Sequence, residues 1–310
     1  MEKLILGTRG SRLALAQAEW VRDELRRRVA NLEVELRVIK TTGDRLSTAS
    51  LARLAGSTKG VFVKEIEEAL LEGAIDLAVH SLKDLPVEQP AGLEVAAYPR
   101  REDPRDALAL GDGYRSLADL PSGARVGTSS LRRRVQLLRL RGDLAVEPIR
   151  GNVDTRLRKL REGTYAAVTL ALAGLRRLGL DEAADYVFPP EEMLPAPGQA
   201  ALAVEIRSND AGTRELVALL DDPVTRTAVT AERAFLAALG GGCQVPLGAY
   251  ARCDGDGSGT LRAFVASPDG GSFLEDEIAG SADQLPELAR RLADRFLAAG
   301  AEKFLGTMKP

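Results

Sequence analysis

Apolar and polar positions along this chain change period several times, and each change marks an element. Leu4-Ile5-Leu6 ahead of Gly7 is an unbroken apolar run, the pattern of a strand buried on both faces. From Arg12 to Val29 the apolar positions recur at helical spacing. Ser11, just ahead of that helix, suits its N-cap, because a hydroxyl can accept from the unpaired N–H groups of the first turn. Residues 32–40 alternate as a strand, 61–71 read as an amphipathic helix, and 75–80 as a second apolar strand ending in Ser81-Leu82-Lys83-Asp84. Strands alternating with helices predict a mainly parallel sheet covered on both faces.

After a break at residues 100–105 the pattern repeats. Arg125-Val126-Gly127 is strand, Thr128-Ser129-Ser130 is turn, and a helix runs on through Leu140; 145–149 is a strand, 153–161 a helix and 166–170 a strand. Pro189-Pro190 and Pro195-Ala196-Pro197-Gly198 punctuate the end of this second unit and predict a crossing back toward the first. A helix over 224–239, strands over 247–252, 261–267 and 273–278, and a helix over 284–299 follow. The expected division is an α/β domain from 1–99 with 196–218, a similar α/β domain from 100–195, and a smaller α+β domain from 222–310. Several domains are expected because 310 residues exceed what a single core of roughly 250 to 300 residues holds.

Composition narrows the chemistry. Two Cys and one His are too few for the usual four N/S ligands of structural zinc, so no metal is expected. The first residues lack the apolar core of a secretory signal, and no apolar run approaches the roughly 20 residues that span a bilayer. A cytoplasmic location without a membrane partner is the expectation, and there Cys243 and Cys253 are read as separate thiols. Cys253, after Ala249-Tyr250-Ala251-Arg252, reads as an inert strand residue. The net charge is only −3, and of 42 basic residues just 8 are Lys. The Arg total says little; position says more, because the planar guanidinium fork matches carboxylate or phosphate in two parallel bonds.

In open α/β sheets ligands lie beyond the carboxyl ends of the strands, here Thr8 to Ser11, Ser81 to Asp84, Gly127 to Arg133 and Arg150 to Arg156. Gly127-Thr128-Ser129-Ser130-Leu131-Arg132-Arg133-Arg134 places three arginines in the first turn of a helix whose N-terminus is already positive, which makes sense where an anion binds. A solvated basic face is the bland alternative. Nucleic acid is another, but the protein is net acidic and the basic residues are not interleaved with stacking aromatics. Arg150-Gly151-Asn152-Val153-Asp154-Thr155-Arg156 repeats the theme, Arg9 beside Ser11 is a third copy and Arg176-Arg177 a fourth. Several carboxylate-sized sites at strand ends imply a ligand with several negative charges, such as a polycarboxylate. Lys83-Asp84 is either a surface ion pair or a carboxylate held ionised to bind an N–H donor or stabilise a developing cation. His80 continues the apolar alternation of its strand and reads as a core residue, or one that supports the site from behind, rather than as a base for Cys243. Gly240-Gly241-Gly242-Cys243-Gln244-Val245-Pro246 is either a flexible turn or a loop that presents its thiol to something large.

Eight stretches, in order, resemble the porphobilinogen deaminase (hydroxymethylbilane synthase) family over nearly the whole chain. They are Thr8-Arg9-Gly10-Ser11, Thr42-Gly43-Asp44, Lys59 to Glu65, Ala78 to Pro86, Arg101-Glu102-Asp103-Pro104-Arg105-Asp106, Gly127 to Arg133, Arg150 to Val153, and Gly241 to Pro246. The resemblance implies two type II periplasmic-binding-protein-like α/β domains and a smaller C-terminal domain. It also implies a dipyrromethane cofactor made from substrate and joined by a thioether to Cys243. Porphobilinogen would lose its amine to give an electrophilic azafulvene, four units would be condensed, and hydrolysis would release the linear tetrapyrrole. Asp84 takes the place of the family's catalytic aspartate. Ser81, Lys83, Thr128, Ser130, Arg132, Arg133 and Arg150, together with Asp84, match positions around the cofactor. Arg9, Ser11, Arg150, Arg156, Arg177 and Gln199 match positions around the incoming pyrrole. A monomer is expected. Arg12 stands where the family commonly has Pro, Arg53 where Lys is frequent, and Ala200 where Gly is usual; if residue 200 needs positive φ, Ala is strained there. The competing reading is a two-lobed polycarboxylate binder without catalysis, against which the cysteine loop and the third domain speak.

Overall fold

The computed structural model describes residues 3–41, 63–240 and 246–305. The chain falls into two units, one of residues up to 102 with 200–226, the other of 103–199 with those from 227 on. The first is built from β1 (Lys3–Thr8), α1 (Arg12–Arg28), β2 (Glu33–Val38), α2 (Lys64–Leu71), β3 (Leu77–Ser81) and β4 (Leu93–Ala97), completed by the returning strand β10 (Leu202–Arg207) and the helix α6 (Ala211–Ala218). Its sheet has the order β2-β1-β3-β10-β4. β1 is parallel to β2 and β3, and β10 is antiparallel to both of its neighbours. Alternate side chains of β1 serve the two faces. Leu4 and Leu6 meet Ala18, Val21 and Leu25 of α1, while Ile5 packs with Ile66 and Leu70 of α2. β10 brings Glu205 into this core, fully buried, where its carboxylate lies 2.9 Å from Nε2 of His80 on β3. His80 is a core residue, as its place in the alternation predicts.

The second unit repeats the arrangement with β5 (Asp106–Leu110), β6 (Arg125–Gly127), α3 (Leu131–Leu140), β7 (Ala145–Glu147), α4 (Val153–Arg161), β8 (Ala167–Ala171), α5 (Leu172–Arg177) and β9 (Tyr186–Val187). Its order is β7-β6-β8-β5-β9, again with three parallel strands on one side and an antiparallel strand in fourth place. The expected mainly parallel α/β sheets are therefore present twice. Periodicity did not anticipate β4, β5, β9, β10 or α6. β5 and β10 are buried on both faces, so they carry no alternation, and Asp106 at the head of β5 and Glu205 within β10 interrupt the apolar run that marks such a strand.

From residue 227 the same unit takes in the rest of α7 (Pro223–Ala238) and an antiparallel sheet of β11 (Leu247–Cys253), β12 (Ser258–Ala266) and β13 (Phe273–Ser281), followed by α8 (Leu285–Ala298) and a short α9 (Glu302–Leu305). One face of that sheet packs on Phe235 of α7 and on Leu292 and Phe296 of α8, the two Phe rings meeting edge to face at 5.3 Å. The other face carries Phe264, stacked on Phe273 and packed against Val135 of α3 and Leu194. The buried carboxylate of Glu232 on α7 accepts the N–H groups of Gly198 at 2.7 Å and Ala251 at 2.9 Å, tying the turn before Gln199 to β11.

Candidate functional site

In the first unit, the parallel register of β1 with β3 (Gly7 opposite Ala78) brings the carboxyl ends of the two strands to one rim. Beyond β1 come Arg9 and Ser11, both half-buried, and Ser11 caps α1 as predicted by accepting the N–H of Ala14 at 3.3 Å. Arg12 begins the helix, exposed. Beyond β3, the Ser81 hydroxyl accepts from the side-chain amide of Gln17 on α1 at 2.9 Å. The chain then makes a 3-10 turn over Leu82–Asp84. Leu82 and Leu85 are buried on either side of the polar pair, so the turn is anchored by apolar residues while Lys83 is half-buried and Asp84 stands exposed.

In the second unit β6 lies between β7 and β8, parallel to both, so Thr128 to Ser130, Arg150 and the start of α5 share a rim. The Thr128 N–H donates to Glu147 O at 2.8 Å and the Ser129 hydroxyl to Ile149 O at 2.6 Å, which joins two of these loops. Ser130 caps α3, accepting from the Arg133 N–H, and Asn152 caps α4, accepting from the Thr155 N–H. Gly151, at φ +113, is required: a Cβ there would stand 2.6 Å from Cγ2 of Thr155. Arg150 is exposed at the turn, Arg156 is half-buried with its Nε–H donated to Gly151 O at 2.9 Å, and Arg177 is half-buried at the end of α5.

Arg132 and Arg133 do not form the solvated basic face weighed as the bland alternative. Both are buried, at 5% and 6% exposure, and both are paired with Asp106, which has none. Asp106 opens β5 opposite Ala171, the last residue of β8, and so sits at the same rim. Its Oδ2 accepts from Arg132 Nη1 at 2.7 Å. Its Oδ1 accepts from Arg133 Nε at 3.0 Å, Arg133 Nη2 at 2.7 Å and the Gln199 amide at 2.9 Å. The same amide reaches Pro104 O at 2.7 Å, and Arg132 Nη1 also donates to Leu194 O at 2.6 Å. Burial by itself would raise the Asp106 pKa, but the two guanidiniums outweigh it and hold the carboxyl far below the usual carboxylate range. Burial pushes Arg132 down, Asp106 opposing that shift and Arg133 adding to it.

Two guanidiniums against one carboxylate leave a net positive charge in a place closed to water, and the Nε–H of Arg132 is buried without an acceptor among the described residues. An acidic ligand group fits such a cluster, because an uncompensated buried charge is costly and a carboxylate supplies both the charge and the acceptor. Acetate- and propionate-bearing pyrroles meet that requirement. Asp106 was not singled out from the sequence. The signal was present in Asp106-Ala107-Leu108-Ala109-Leu110: a charge at the head of a doubly buried strand needs a partner of opposite sign.

Cys243 and its loop, the Thr42-Gly43-Asp44 stretch, Arg53 and Lys59 to Phe62 lie outside the described residues. Cys253 ends β11 half-buried and free, and burial, with Asp254 and Glu232 adding, pushes its thiol pKa up, away from the reactive thiolate. Ala200 has φ +71, the strained position anticipated for it. Among the described residues no group of three His, Cys, Asp or Glu could hold a metal ion, and no helix is long and apolar enough to cross a membrane. A groove of about 370 Å³ in the second unit, lined by Tyr114, Arg125, Arg161 and Tyr165, lies at the amino ends of β6 and β8 and contains none of these site residues.

Residues 4–215 match the family model described as porphobilinogen deaminase, dipyromethane cofactor binding domain, and residues 226–298 match that of the porphobilinogen deaminase C-terminal domain. A porphobilinogen deaminase of Bordetella parapertussis is 50% identical over 310 residues, covering 100% of this chain and 98% of its own. One of Thermus thermophilus is 47% identical over 309 residues and 100% of both chains. Among solved structures, an arginine-specific periplasmic binding protein of Salmonella typhimurium aligns over 73% of this chain and 94% of its own, at 14% identity and TM-score 0.39. With both family domains present in order and near half-identity sustained from end to end, the chain belongs to the porphobilinogen deaminase family.

Proposed function

We propose that the residues at the strand ends of the two units bind and process the pyrroles of the family's reaction. The chain is a hydroxymethylbilane synthase, a transferase of tetrapyrrole biosynthesis. It condenses four porphobilinogen molecules head to tail with release of ammonia on an enzyme-bound dipyrromethane and frees hydroxymethylbilane by hydrolysis. Its membership favours catalysis over the non-catalytic polycarboxylate binder. When bound, the dipyrromethane supplies the free pyrrole carbon to which the next unit is joined.

Cys243 is the attachment thiol in this reading. Arg132, Arg133 and Arg150, with Lys83, Ser81, Thr128 and Ser130, hold the acid groups of the cofactor. Arg9, Ser11, Arg150, Arg156 and Arg177 receive the acids of the incoming substrate, and Gln199, whose amide N–H groups go to Pro104 O and Asp106 Oδ1, serves that binding by steadying the cluster. Asp84 holds pyrrole N–H groups and stabilises the positive charge that develops on the substrate as its amine leaves. The observation that carries the reading is the buried surplus of positive charge at Asp106, Arg132 and Arg133, which calls for an anion.

The protein is also taken to be a cytoplasmic monomer of three domains, with residues 1–99 and 196–218, 100–195 and 222–310 as the divisions. A thiol reserved for a thioether suits a reducing compartment, and sedimentation of the purified protein checks the oligomeric state. Intact mass tests the central point. The wild-type protein is expected to exceed its sequence mass by two condensed pyrrole units, Cys243→Ser to lose both the increment and the activity, and Cys253→Ser to keep both. A fully active wild-type protein of unmodified mass would falsify the reading.

A further inference from the structure

We propose that Asp106 is a positioning residue that sets the Arg132–Arg133 pair to receive a single carboxylate. The inference rests on the reading that these arginines hold acid groups of the cofactor, and it adds what decides their number and direction. Asp106 accepts from four donors, Arg133 Nε, Arg133 Nη2 and the Gln199 amide on Oδ1 and Arg132 Nη1 on Oδ2. As a fully buried anion it repels an acidic ligand group. Its role is therefore exercised through the groups that it holds.

Each guanidinium is fixed on more than one side. Arg133 bonds Asp106 through two of its nitrogens while its Nη1 donates to Thr169 O at 3.2 Å. Arg132 bonds Asp106 and Leu194 O through Nη1, and its Nη2 reaches Gln199 Oε1 at 3.5 Å. A planar fork held in this way cannot turn, and Asp106, the one partner common to both guanidiniums and the one that is charged, sets the direction of the remaining N–H groups together with Leu194 O, Thr169 O and Gln199. The Nε–H of Arg132 is the buried donor left over.

Charge sets the number. No carboxylate other than Asp106 lies within ion-pair distance of either guanidinium among the described residues, and Gln199, the fourth member, is neutral. One more carboxylate brings the cluster to neutrality. A second would leave a buried negative excess, and without Asp106 the pair would be doubly positive and call for two. Asp106 therefore acts as a built-in first anion, leaving a place for one ligand acid at the rim where β6, β7 and β8 end.

The test uses full-length protein and reads the fraction carrying the covalent increment by intact mass, beside the thermal midpoint. Asp106→Asn keeps the size and removes the charge, Asp106→Glu keeps the charge one methylene further out, and Phe235→Leu, in the core of α7 and α8, controls for lost stability. Asp106→Asn is expected to load at least about tenfold less than wild type, the scale of one misplaced charge-assisted hydrogen bond. Asp106→Glu is expected to recover part of that loss, and Phe235→Leu of matched midpoint to load fully. If Asp106→Asn does not accumulate, Asp106→Glu against Phe235→Leu carries the test, reduced loading supporting the proposal and full loading overturning it. Equal losses in Asp106→Asn and Phe235→Leu at matched midpoint make Asp106 merely structural and overturn it. Arg132→Leu and Arg133→Leu separate the two levels: full loading in both removes the underlying reading, whereas full loading by Asp106→Asn beside unloaded arginine variants overturns the positioning role alone.

Discussion

Substituting Asp84 separates stability from chemistry, because the residue is exposed in a turn that other groups hold. Leu82 and Leu85 are buried on either side of it, the Leu82 N–H donates to Ala201 O at 3.0 Å and the Leu85 N–H to Leu82 O at 3.1 Å. None of these interactions needs the carboxylate. Asp84→Asn should therefore change stability by no more than about 0.5 kcal/mol, a shift of roughly 1–2 °C in thermal midpoint for a domain of this size. Deamination develops positive charge on the pyrrole, and a preorganised anion stabilises the transition state more than the bound substrate. Turnover should thus fall by at least about a hundredfold, close to 2.7 kcal/mol, the effect of losing one strong electrostatic stabiliser. Asp84→Glu, which keeps the charge and displaces it, should fall between. The assay is turnover at saturating porphobilinogen, with cofactor content measured by intact mass on the same preparation so that only loaded enzyme is compared. A loaded, folded Asp84→Asn protein turning over within about threefold of wild type, under ~0.7 kcal/mol, would show that the carboxylate does not stabilise the cation.

The two kinds of arginine should behave differently: Arg132→Leu or Arg133→Leu breaks a buried pair and should cost about 3–5 kcal/mol of stability in denaturant melts. Arg150→Leu, at an exposed turn, should cost no more than about 0.5 kcal/mol yet impair chain initiation or elongation, with exposed Arg290→Leu of α8 as control. Because the Asp106 pKa is lowered on folding, its ionisation adds stability above the unfolded value near 3.9 that is lost as pH falls toward the folded one. Below about pH 4 the stability of Asp106→Asn should therefore fall less steeply than that of wild type, by up to about 1.4 kcal/mol per pH unit, as acid melts would show. At Ala200, φ +71, replacement by Gly relieves about 1–2 kcal/mol of strain but loses a buried methyl worth ~0.8 kcal/mol and loosens the unfolded chain by about 0.4–1 kcal/mol. The sum should be near zero in urea melts, whereas β-branched Ala200→Val should be clearly destabilised.

Local pattern was sufficient for much of the architecture. The α1 and α4 helices, the Ser11 cap, the two repeated α/β units and the small third sheet follow from periodicity and capping, which depend on residues a few positions apart. So does the placing of Arg9, Ser81 and Asp84 in one unit, and of Thr128 and Arg150 in the other, at strand ends, because parallel strands joined by helices bring their carboxyl ends to the same rim within each unit. The fourth strand of each sheet was not readable in this way. β5 and β10 are recruited from distant parts of the chain, and their identity as strands comes from neighbours that only the fold supplies. The same holds for the charges that they carry inward. Glu205 meets His80 across 125 positions, and Asp106 meets Arg132 across 26 and Gln199 across 93. An arginine next to a helix start reads as an anion donor whether it faces solvent or a buried aspartate. Which it faces is decided by the antiparallel strand that sets Asp106 beside the end of β8, since a carboxylate sealed from water must take its counter-charges from whatever the fold places within hydrogen-bond reach.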